Sequence, residues 1–230
     1  MTNAAFDVQG YDTVSLFDPE LVTAARDDIS DHIDRVARAL HLPFEHSRPD
    51  LPLEGRLDGI AIRDRPYANL LRLALCTDAH HGRRLSTLAQ SCMLRAAAER
   101  LAGREISDAI VRVRASIAAF PEERHGWHSD VAIADETHCG RVCITAWLPL
   151  MDTGPDSGGL ELIAGKRAAP FPHVRDDGYR IEDATLADLP RAQPACPAGS
   201  ALFLDRFTPH RTLPNAGLAR FALVIWCVAA

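Results

Sequence analysis

The sequence lacks long apolar runs. No window of the 230-residue chain approaches the roughly 18 apolar residues that a membrane-spanning helix requires. The N-terminus also lacks the basic region and the apolar core of a secretory signal. These absences exclude a membrane-spanning protein and a secreted one, so we expect a cytoplasmic location.

The sequence also lacks an excess of positive charge. Its 25 Lys and Arg residues are outnumbered by 31 Asp and Glu residues, which gives a formal net charge of −6. Surfaces that bind nucleic acid or anionic membranes are usually basic. We therefore expect a small-molecule substrate and neither nucleic acid nor membrane as the main partner. No pattern in the sequence predicts the oligomeric state.

The cysteines show no clear metal-binding spacing. Cys139 and Cys143 form a C-x3-C pair, but no second Cys or His pair follows at the spacing of a zinc finger. In a cytosolic chain of this length, cysteines in apolar surroundings are usually reduced core residues. We expect this state for all six: Cys76, Cys92, Cys139, Cys143, Cys196 and Cys227.

Residues 1–108 have mainly helical patterns. Asp18 and Pro19 suit the N-cap and the first turn of a helix, and apolar residues then recur every three or four positions as far as Leu40. Residues 43–65 are predicted as a loop because they combine proline, glycine and charge. A second helical region is predicted over 66–101, with a break near 80–82.

Residues 109–230 change to the patterns of β-strands. The predicted strands, separated by proline, glycine and aspartate turns, are 109–120, 141–150, 158–165, 200–205 and 220–229. Helices followed by short strands indicate an α+β chain with an antiparallel barrel or jelly-roll core. We expect one domain over 1–230, in which 1–108 support a core over 109–230. The long stretch 166–198 is either a lid over a binding site or a solvated insertion.

The stretch "HGWHSD" (125–130) carries the strongest chemical signal. On extended backbone, His128 and Asp130 leave the same face, so their ligand atoms can converge. They would be two members of the 2-His-1-carboxylate triad of non-haem Fe(II) oxygenases. His210 is the preferred third ligand because it follows an apolar strand and a turn. The rival histidines His125, His138 and His173 lack that context.

An arginine stands ten residues beyond His210. Arg220 opens the otherwise apolar segment "RFALVIWCVA", where an unmatched charge is unusual. A guanidinium binds a carboxylate through two parallel hydrogen bonds. Oxygenases with this metal triad use 2-oxoglutarate as cosubstrate, and Arg220 could bind its remote carboxylate. Three protein ligands leave octahedral iron with positions for 2-oxoglutarate and O2.

Three polar residues share one face of the predicted strand 109–120. Arg112, Arg114 and Ser116 alternate with apolar residues, so they point together, either into the cavity or toward solvent. If they face inward, Arg114 is the preferred residue for binding an anionic substrate or the cosubstrate.

The motifs in the second half resemble the phytanoyl-CoA dioxygenase family of Fe(II)/2-oxoglutarate oxygenases. "WHSD" resembles the H-x-D segment of the family, and "ITAWLPLMDTGPDSGGLELIAGKR" resembles its strand, acidic turn and Gly-rich loop. "PAGSALFLDRFTPHRTLPNAGLAR" resembles its histidine segment and terminal arginine. "VQGYDTVSLFDPELV" resembles its first strand and helix. The resemblance covers roughly residues 8–30 and 110–228.

The resemblance implies a double-stranded β-helix, or cupin-like jelly roll, flanked by N-terminal helices. It implies iron held by His128, Asp130 and His210, and 2-oxoglutarate held by Arg220, Thr212 and an aromatic wall at Trp147. Where the family often has Gly-Ser-His, this chain has Gly165, Lys166 and Arg167, and the family's acyl-CoA lid sequences are missing. The substrate of the family is therefore not carried over.

The expected function is Fe(II)- and 2-oxoglutarate-dependent hydroxylation of an unactivated C–H bond in a small, anionic metabolite or natural-product intermediate. Halogenating relatives replace the metal-binding carboxylate by a small residue, so Asp130 favours hydroxylation. Desaturation, cyclisation or epimerisation by the same iron chemistry remains an alternative. Two further alternatives are a metal-free jelly-roll isomerase or epimerase and a non-catalytic ligand-binding jelly roll, but neither of them explains Arg220.

Overall fold

The protein is described by a computed structural model in which residues 4–133, 141–155, 157–174, 179–215 and 217–230 are placed. Its helices are α1 (Ala4–Gln9), α2 (Pro19–Ala39), α3 (Leu53–Ala61), α4 (Arg65–Asp78), α5 (Arg83–Ala89), α6 (Cys92–Ala102) and α7 (Asp130–Ile133). Its strands are β1 (Tyr11–Ser15), β2 (Ile106–Ser116), β3 (Val142–Pro149), β4 (Leu160–Ile163), β5 (Arg191–Ala192), β6 (Ser200–Asp205), β7 (His210–Thr212) and β8 (Arg220–Ala229).

The strands form two antiparallel sheets. The large sheet has the order β1-β6-β3-β8-β2, and the small sheet has the order β5-β4-β7. Leucines of β4 pack against Trp147, Val224 and Trp226 of the large sheet, so the two sheets face each other across an apolar layer. This arrangement confirms the predicted α+β class with a cupin-like jelly-roll core.

The helices cover the other face of the large sheet. Side chains from α2 to α6 share one buried cluster with alternate residues of β3 and β8, such as Ile144 and Leu223. Because successive strand residues point to opposite faces, each central strand of this sheet contributes one set of residues to the helices and the other to the space between the sheets. Strand β8 is therefore buried along nearly its whole length.

The helix predicted from Asp18 is α2. The carboxylate of Asp18 accepts a hydrogen bond from the backbone N–H of Glu20 at 2.8 Å, and Pro19 occupies the first turn. The N-terminal part is not only helical, because β1 pairs with β6 along the edge of the large sheet. That strand is the first strand that the family resemblance implied.

The prediction of a loop over 43–65 is wrong. The segment contains a 3-10 turn over Phe44–Ser47 and helix α3, which buries Leu53, Leu57 and Ile60. These residues are spaced by four and three, so the apolar stripe exists but is only three residues long. Proline and glycine, which are typical of loops, favoured the loop prediction over this short apolar stripe.

The second helical region is broken twice. The predicted break near 80–82 is a 3-10 turn over Ala79–His81, and a second break falls at Gln90, before Ser91 caps α6. Gly103 ends α6 in a left-handed conformation with φ of 65°. The strand predicted over 109–120 is β2, which begins earlier and ends at Ser116.

The cysteines are free among the described residues. Cys143, Cys196 and Cys227 are buried, as expected, but Cys92 is exposed in the first turn of α6. Cys139 lies outside the described residues. No helix in the described ranges has the length and hydropathy needed to span a membrane.

Helix α5 receives its N-terminal cap from another helix. Its own N-cap residue, Gly82, has no side chain to accept a hydrogen bond. Instead Oδ2 of Asp28, a buried residue of α2, accepts hydrogen bonds from the backbone N–H groups of Arg84 and Leu85 at 2.6 and 3.0 Å. This carboxylate therefore joins two helices and satisfies buried donors.

Replacing Asp28 with alanine should lower the free energy of unfolding by about 1–3 kcal/mol, because two backbone donors of α5 lose their acceptor. Chemical denaturation would measure the change. Asp27→Ala is the matched control, since Asp27 is mostly exposed and its nearest cation, Arg84, is 3.8 Å away. Equal losses of stability in the two variants would contradict the capping role.

Candidate active site

Two histidines far apart in sequence are joined through their backbones. The N–H of His128 donates to the carbonyl of His210 at 3.0 Å, and the N–H of His210 donates to the carbonyl of His128 at 2.8 Å. The two imidazole rings lie with their centroids 4.3 Å apart. This short antiparallel bridge places both side chains in the space between the sheets.

Asp130 completes the group. Its carboxylate oxygens lie 4.0 Å from Nε2 of His128 and 3.7 Å from Nε2 of His210. One ligand atom from each of the three residues lies within 4.8 Å of the others, and all three residues are buried. The arrangement matches the donor set of a 2-His-1-carboxylate metal site.

The prediction that Asp130 lies on extended backbone is wrong. His128 is in the bridge, but Asp130 is the first residue of the short helix α7. The turn between the two residues, rather than the alternation of a strand, brings the carboxylate beside the imidazoles.

Backbone carbonyls set the orientation of both imidazoles. Nδ1 of His128 donates to the carbonyl of Gly126 at 2.7 Å, and Nδ1 of His210 donates to the carbonyl of Thr208 at 3.1 Å. A carbonyl can only accept, so each neutral ring carries its proton on Nδ1 and keeps a lone pair on Nε2. The Nε2 atoms are therefore the available ligand atoms, as in many metal sites.

The site keeps its groups in the protonation states that a metal needs. Burial, followed by the nearby His210, lowers the pKa of His128 to about 3, so this imidazole is neutral at physiological pH. Burial on its own would raise the pKa of Asp130, but the interactions with His210 and His128 outweigh it and lower that pKa. The hydroxyl of Thr145 and the indole N–H of Trp226 also favour the carboxylate form, although neither has the geometry of a full hydrogen bond.

Arg220 is buried, and two of its guanidinium nitrogens lack a hydrogen-bond partner among the described residues. The residue is 3% exposed, and its Nε and Nη1 atoms have no hydrogen-bond partner among the described residues. Burial lowers the pKa of Arg220 to about 10, so the group is still charged at neutral pH. Burying an unpaired charge costs on the order of several kcal/mol. The position therefore suits an anionic ligand.

The predicted cosubstrate residues lie around one cleft. Arg220, Thr212 and Trp147 line it together with the three metal-site residues, and the guanidinium of Arg220 lies 5.0 Å from the centre of the Trp147 ring. Ser116 pairs with Arg220 across β2 and β8, and its hydroxyl is buried without a hydrogen-bond partner. The cleft encloses about 800 Å³, including its open mouth.

Arg114 also faces this cleft, on the same side of β2 as Ser116. It is half-buried, and its guanidinium lies 5.9 Å from the ring centre of Trp226. Arg112 shares this strand face but does not line the cleft. Of the rival histidines, His125 lies at the mouth, 5.4 Å from the ring of His128, and His138 lies outside the described residues.

His173 supports the metal site through Ser129 and does not line the cleft. Its Nδ1 donates to the carbonyl of Phe171 at 2.8 Å, so Nε2 is free to accept the backbone N–H of Ser129 at 3.0 Å. Ser129 is fully buried between the two ligands His128 and Asp130. The rival histidine is therefore no ligand in this arrangement but fixes the residue between two of them.

Described residues of the stretch 166–198 also pack against the H-x-D segment. Ile181 donates to the carbonyl of Trp127 at 2.6 Å, and Ile181 and Leu186 pack in the buried cluster around Trp127. None of the described residues of this stretch lines the cleft. Ile181 and Leu186 therefore brace the H-x-D segment.

Two arginine side chains also pack over the ring of Trp127. The guanidiniums of Arg211 and Arg191 lie 4.8 and 5.4 Å from its ring centre. Arg211 is anchored in turn by the buried Glu161 of β4, with Nε 2.7 Å from Oε2. Arg211 directly follows His210, so this ion pair ties one ligand strand to its neighbour in the small sheet.

Sequence reasoning missed several residues of the site. Trp226 and Thr145 were not predicted, although Trp226 lies on the same face of its strand as Arg220, six positions along, which is a signal that could have found it. The contributions of His173 and of the cleft residue Arg124 depend on contacts between distant segments and left no local pattern.

Known structures share this fold. EctD from S. alaskensis with bound Fe superposes with a TM-score of 0.65 at 16% identity, over 98% of this chain and 75% of that protein. The epimerase SnoN, in complex with Fe3+, alpha-ketoglutarate and nogalamycin RO, gives 0.60 at 18% identity, over 99% and 82%. The non-heme monooxygenase ThoJ in its apo form gives 0.61 at 15% identity, over 98% and 76%.

At the level of sequence, no curated protein matches the chain. The family model for phytanoyl-CoA dioxygenase (PhyH) matches residues 14–221, a span that contains the three metal-site residues and Arg220. The sheet order, the buried His-Asp-His group and this match agree, and the chain belongs to the phytanoyl-CoA dioxygenase family.

Proposed function

We propose that this protein is an Fe(II)- and 2-oxoglutarate-dependent dioxygenase that hydroxylates a C–H bond of a small anionic molecule. One observation carries the proposal: a single cleft holds the His-Asp-His group and a buried guanidinium that lacks a carboxylate partner among the described residues. A metal and a dicarboxylate cosubstrate would meet both requirements at once. A metal-free isomerase has no use for Arg220 in this position.

The three ligands would hold Fe(II) through Nε2 of His128, Nε2 of His210 and the carboxylate of Asp130. Iron bound there supplies the oxidation of a C–H bond by O2, coupled to the decarboxylation of 2-oxoglutarate to succinate and CO2. Backbone carbonyls orient both imidazoles, burial keeps His128 neutral, and the neighbouring groups keep Asp130 ionised. All three residues are buried, which shields their ligand atoms from bulk solvent.

Arg220 would bind the remote carboxylate of 2-oxoglutarate. Its Nε and Nη1 atoms are unpartnered donors among the described residues, and a guanidinium can bind both oxygens of a carboxylate through two parallel N–H groups. The hydroxyls of Ser116 and Thr212 line the same cleft and can donate to that carboxylate, and Trp147 forms a wall beside the guanidinium. These residues orient the cosubstrate relative to the metal.

The reaction outcome is proposed as hydroxylation because a carboxylate, Asp130, occupies the ligand position that halogenating relatives leave open. Epimerisation is the second candidate, because SnoN, with a similar fold, is described as an epimerase. Product mass separates the outcomes: hydroxylation adds one oxygen atom, desaturation or ring closure removes two hydrogens, and epimerisation leaves the mass unchanged.

The proposal is tested without knowledge of the substrate. Adding Fe(II) and 2-oxoglutarate to the protein under anaerobic conditions should produce a weak visible charge-transfer band, and admitting O2 should release succinate slowly. A folded protein that shows neither the band nor succinate would refute the proposal. Loss of the band in His210→Ala, with normal folding, is the expected result for a ligand.

Arg220→Gln should weaken 2-oxoglutarate binding at least tenfold, which corresponds to about 1.4 kcal/mol, because the remote carboxylate loses its charged partner. Titration of the charge-transfer band would measure this, and Fe(II) affinity should stay within twofold of wild type. Arg220→Lys should restore part of the affinity, since it keeps the charge but not the planar pair of donors. Equal affinities in all three proteins would exclude Arg220 from the cosubstrate site.

His173→Ala should weaken Fe(II) binding roughly tenfold, because it removes the acceptor that fixes Ser129 between two ligands; losses of 10–100-fold are usual for such supporting groups. Competition with a chelating dye under anaerobic conditions would measure the affinity. His173→Gln should recover part of it, since the amide oxygen can accept the same N–H. His46→Ala, an exposed histidine far from the cleft, is the control. Unchanged affinity in His173→Ala would show that the contact does not support the metal.

A further inference from the structure

The mouth of the cleft has a rim built by three chain segments. Arg114 comes from β2, Arg72 comes from α4, and the turn after β2 contributes Phe120, Glu123, Arg124 and His125. We use "rim" for these residues. Since the metal ligands and Arg220 line the same cleft farther inside, a second reactant must approach the metal past the rim.

One charge on the rim is already neutralised. Nη2 of Arg72 lies 2.9 Å from Oε2 of Glu123, and its Nε donates to Asn69 at 3.0 Å. This arginine is buried and also lies over the ring of Phe120. The ion pair of Arg72 and Glu123 therefore adds no net charge to the rim. The contacts of Arg72 with Glu123, Asn69 and Phe120 account for its burial.

Two other rim arginines have no carboxylate partner among the described residues. Arg114 contacts only the face of Trp226, at 5.9 Å from the ring centre. Arg124 is half-buried, and its Nε is fully buried without a hydrogen-bond partner. An unsatisfied buried donor costs roughly 1–3 kcal/mol, so a ligand that accepts from it would recover that free energy.

The charges of the proposed reactants do not account for these two arginines. The positive charges of Fe(II) and Arg220 are balanced by Asp130 and the two carboxylates of 2-oxoglutarate. Arg72 and Glu123 balance each other. Among the described residues that line the cleft, two positive charges then remain, both on the rim. This balance rests on the proposed function.

We propose that Arg114 and Arg124 form the binding subsite for an oxyanion on the primary substrate, a carboxylate or a phosphate group. Guanidiniums bind both groups through paired, charge-assisted hydrogen bonds. Phe120 and Trp226 line the cleft beside them and suit a small apolar portion of the substrate. The sequence could not decide whether Arg114 serves the substrate or the cosubstrate. Both carboxylates of 2-oxoglutarate already have partners in the proposed site, so Arg114 is assigned to the substrate.

The test uses three probes of similar shape: benzoate, phenyl phosphate and the neutral benzamide. Protein loaded with Fe(II) and saturating 2-oxoglutarate is titrated anaerobically, so that Arg220 is occupied, and binding is followed by calorimetry and by changes in the charge-transfer band. Wild type should bind benzoate and phenyl phosphate at least tenfold more tightly than benzamide. Tighter binding of phenyl phosphate alone would identify a phosphate ester as the substrate class.

Arg114→Gln and Arg124→Gln should each weaken binding of the anionic probes at least fivefold and leave benzamide binding unchanged. Arg114→Lys should bind with intermediate affinity, and Arg83→Gln, an exposed arginine of α5, is the charge-matched control. The subsite proposal would be overturned if wild type bound benzoate and benzamide equally well. It would also be overturned if Arg83→Gln weakened binding of the anionic probes as much as Arg114→Gln and Arg124→Gln do.

Two outcomes separate this inference from the proposed function. If loaded wild type lacks the charge-transfer band, the dioxygenase proposal fails, and probe binding is then read by calorimetry alone. If the band is present in wild type but 2-oxoglutarate no longer binds to Arg114→Gln, Arg114 serves the cosubstrate and the subsite proposal is overturned.

Discussion

The backbone bridge between His128 and His210 is the interaction on which the active site depends. Two hydrogen bonds, 3.0 and 2.8 Å long, join a turn that follows β2 to the start of β7. The bridge fixes the separation of the two imidazoles through backbone hydrogen bonds. A site that is organised before the metal binds loses less conformational entropy on binding. The surrounding contacts of His173, Trp127 and Arg211 all support the two segments that the bridge connects.

Electrostatics divides the cleft into two regions. In the interior, buried groups have their protonation fixed by their surroundings: a neutral His128, an ionised Asp130 and a charged Arg220 whose pKa burial has lowered to about 10. On the rim, Arg114 and Arg124 are only half-buried and their charge is partly screened by water. Interactions in the interior are therefore stronger and less sensitive to salt than those on the rim.

Much of the site was predictable from the sequence because its residues follow local rules. Asp18 and Pro19 began a helix where predicted, and the alternation of β8 placed Arg220 on the face that lines the cleft. His128, Asp130 and His210 lie together as predicted, although a turn rather than the alternation of a strand brings Asp130 beside the imidazoles.

The rest depended on contacts between distant segments, or on signals too short to outweigh their surroundings. Helix α3 has an apolar stripe of three residues inside a segment rich in proline and glycine. The backbone is in a β-bridge at His128 and already helical at Asp130, two residues later. The contact of His173 with Ser129 spans 44 positions and involves a backbone N–H, which no side-chain pattern encodes.

The described residues of the stretch 166–198 pack against the H-x-D segment, and the two ends of the cleft are built by different parts of the chain. The iron ligands and their supports belong to the strands and turns after residue 126, whereas the rim comes from α4, β2 and the turn that follows them. If the rim binds the substrate as proposed, substitutions in α4 and residues 120–125 should change which molecule is bound without altering the three metal-site residues.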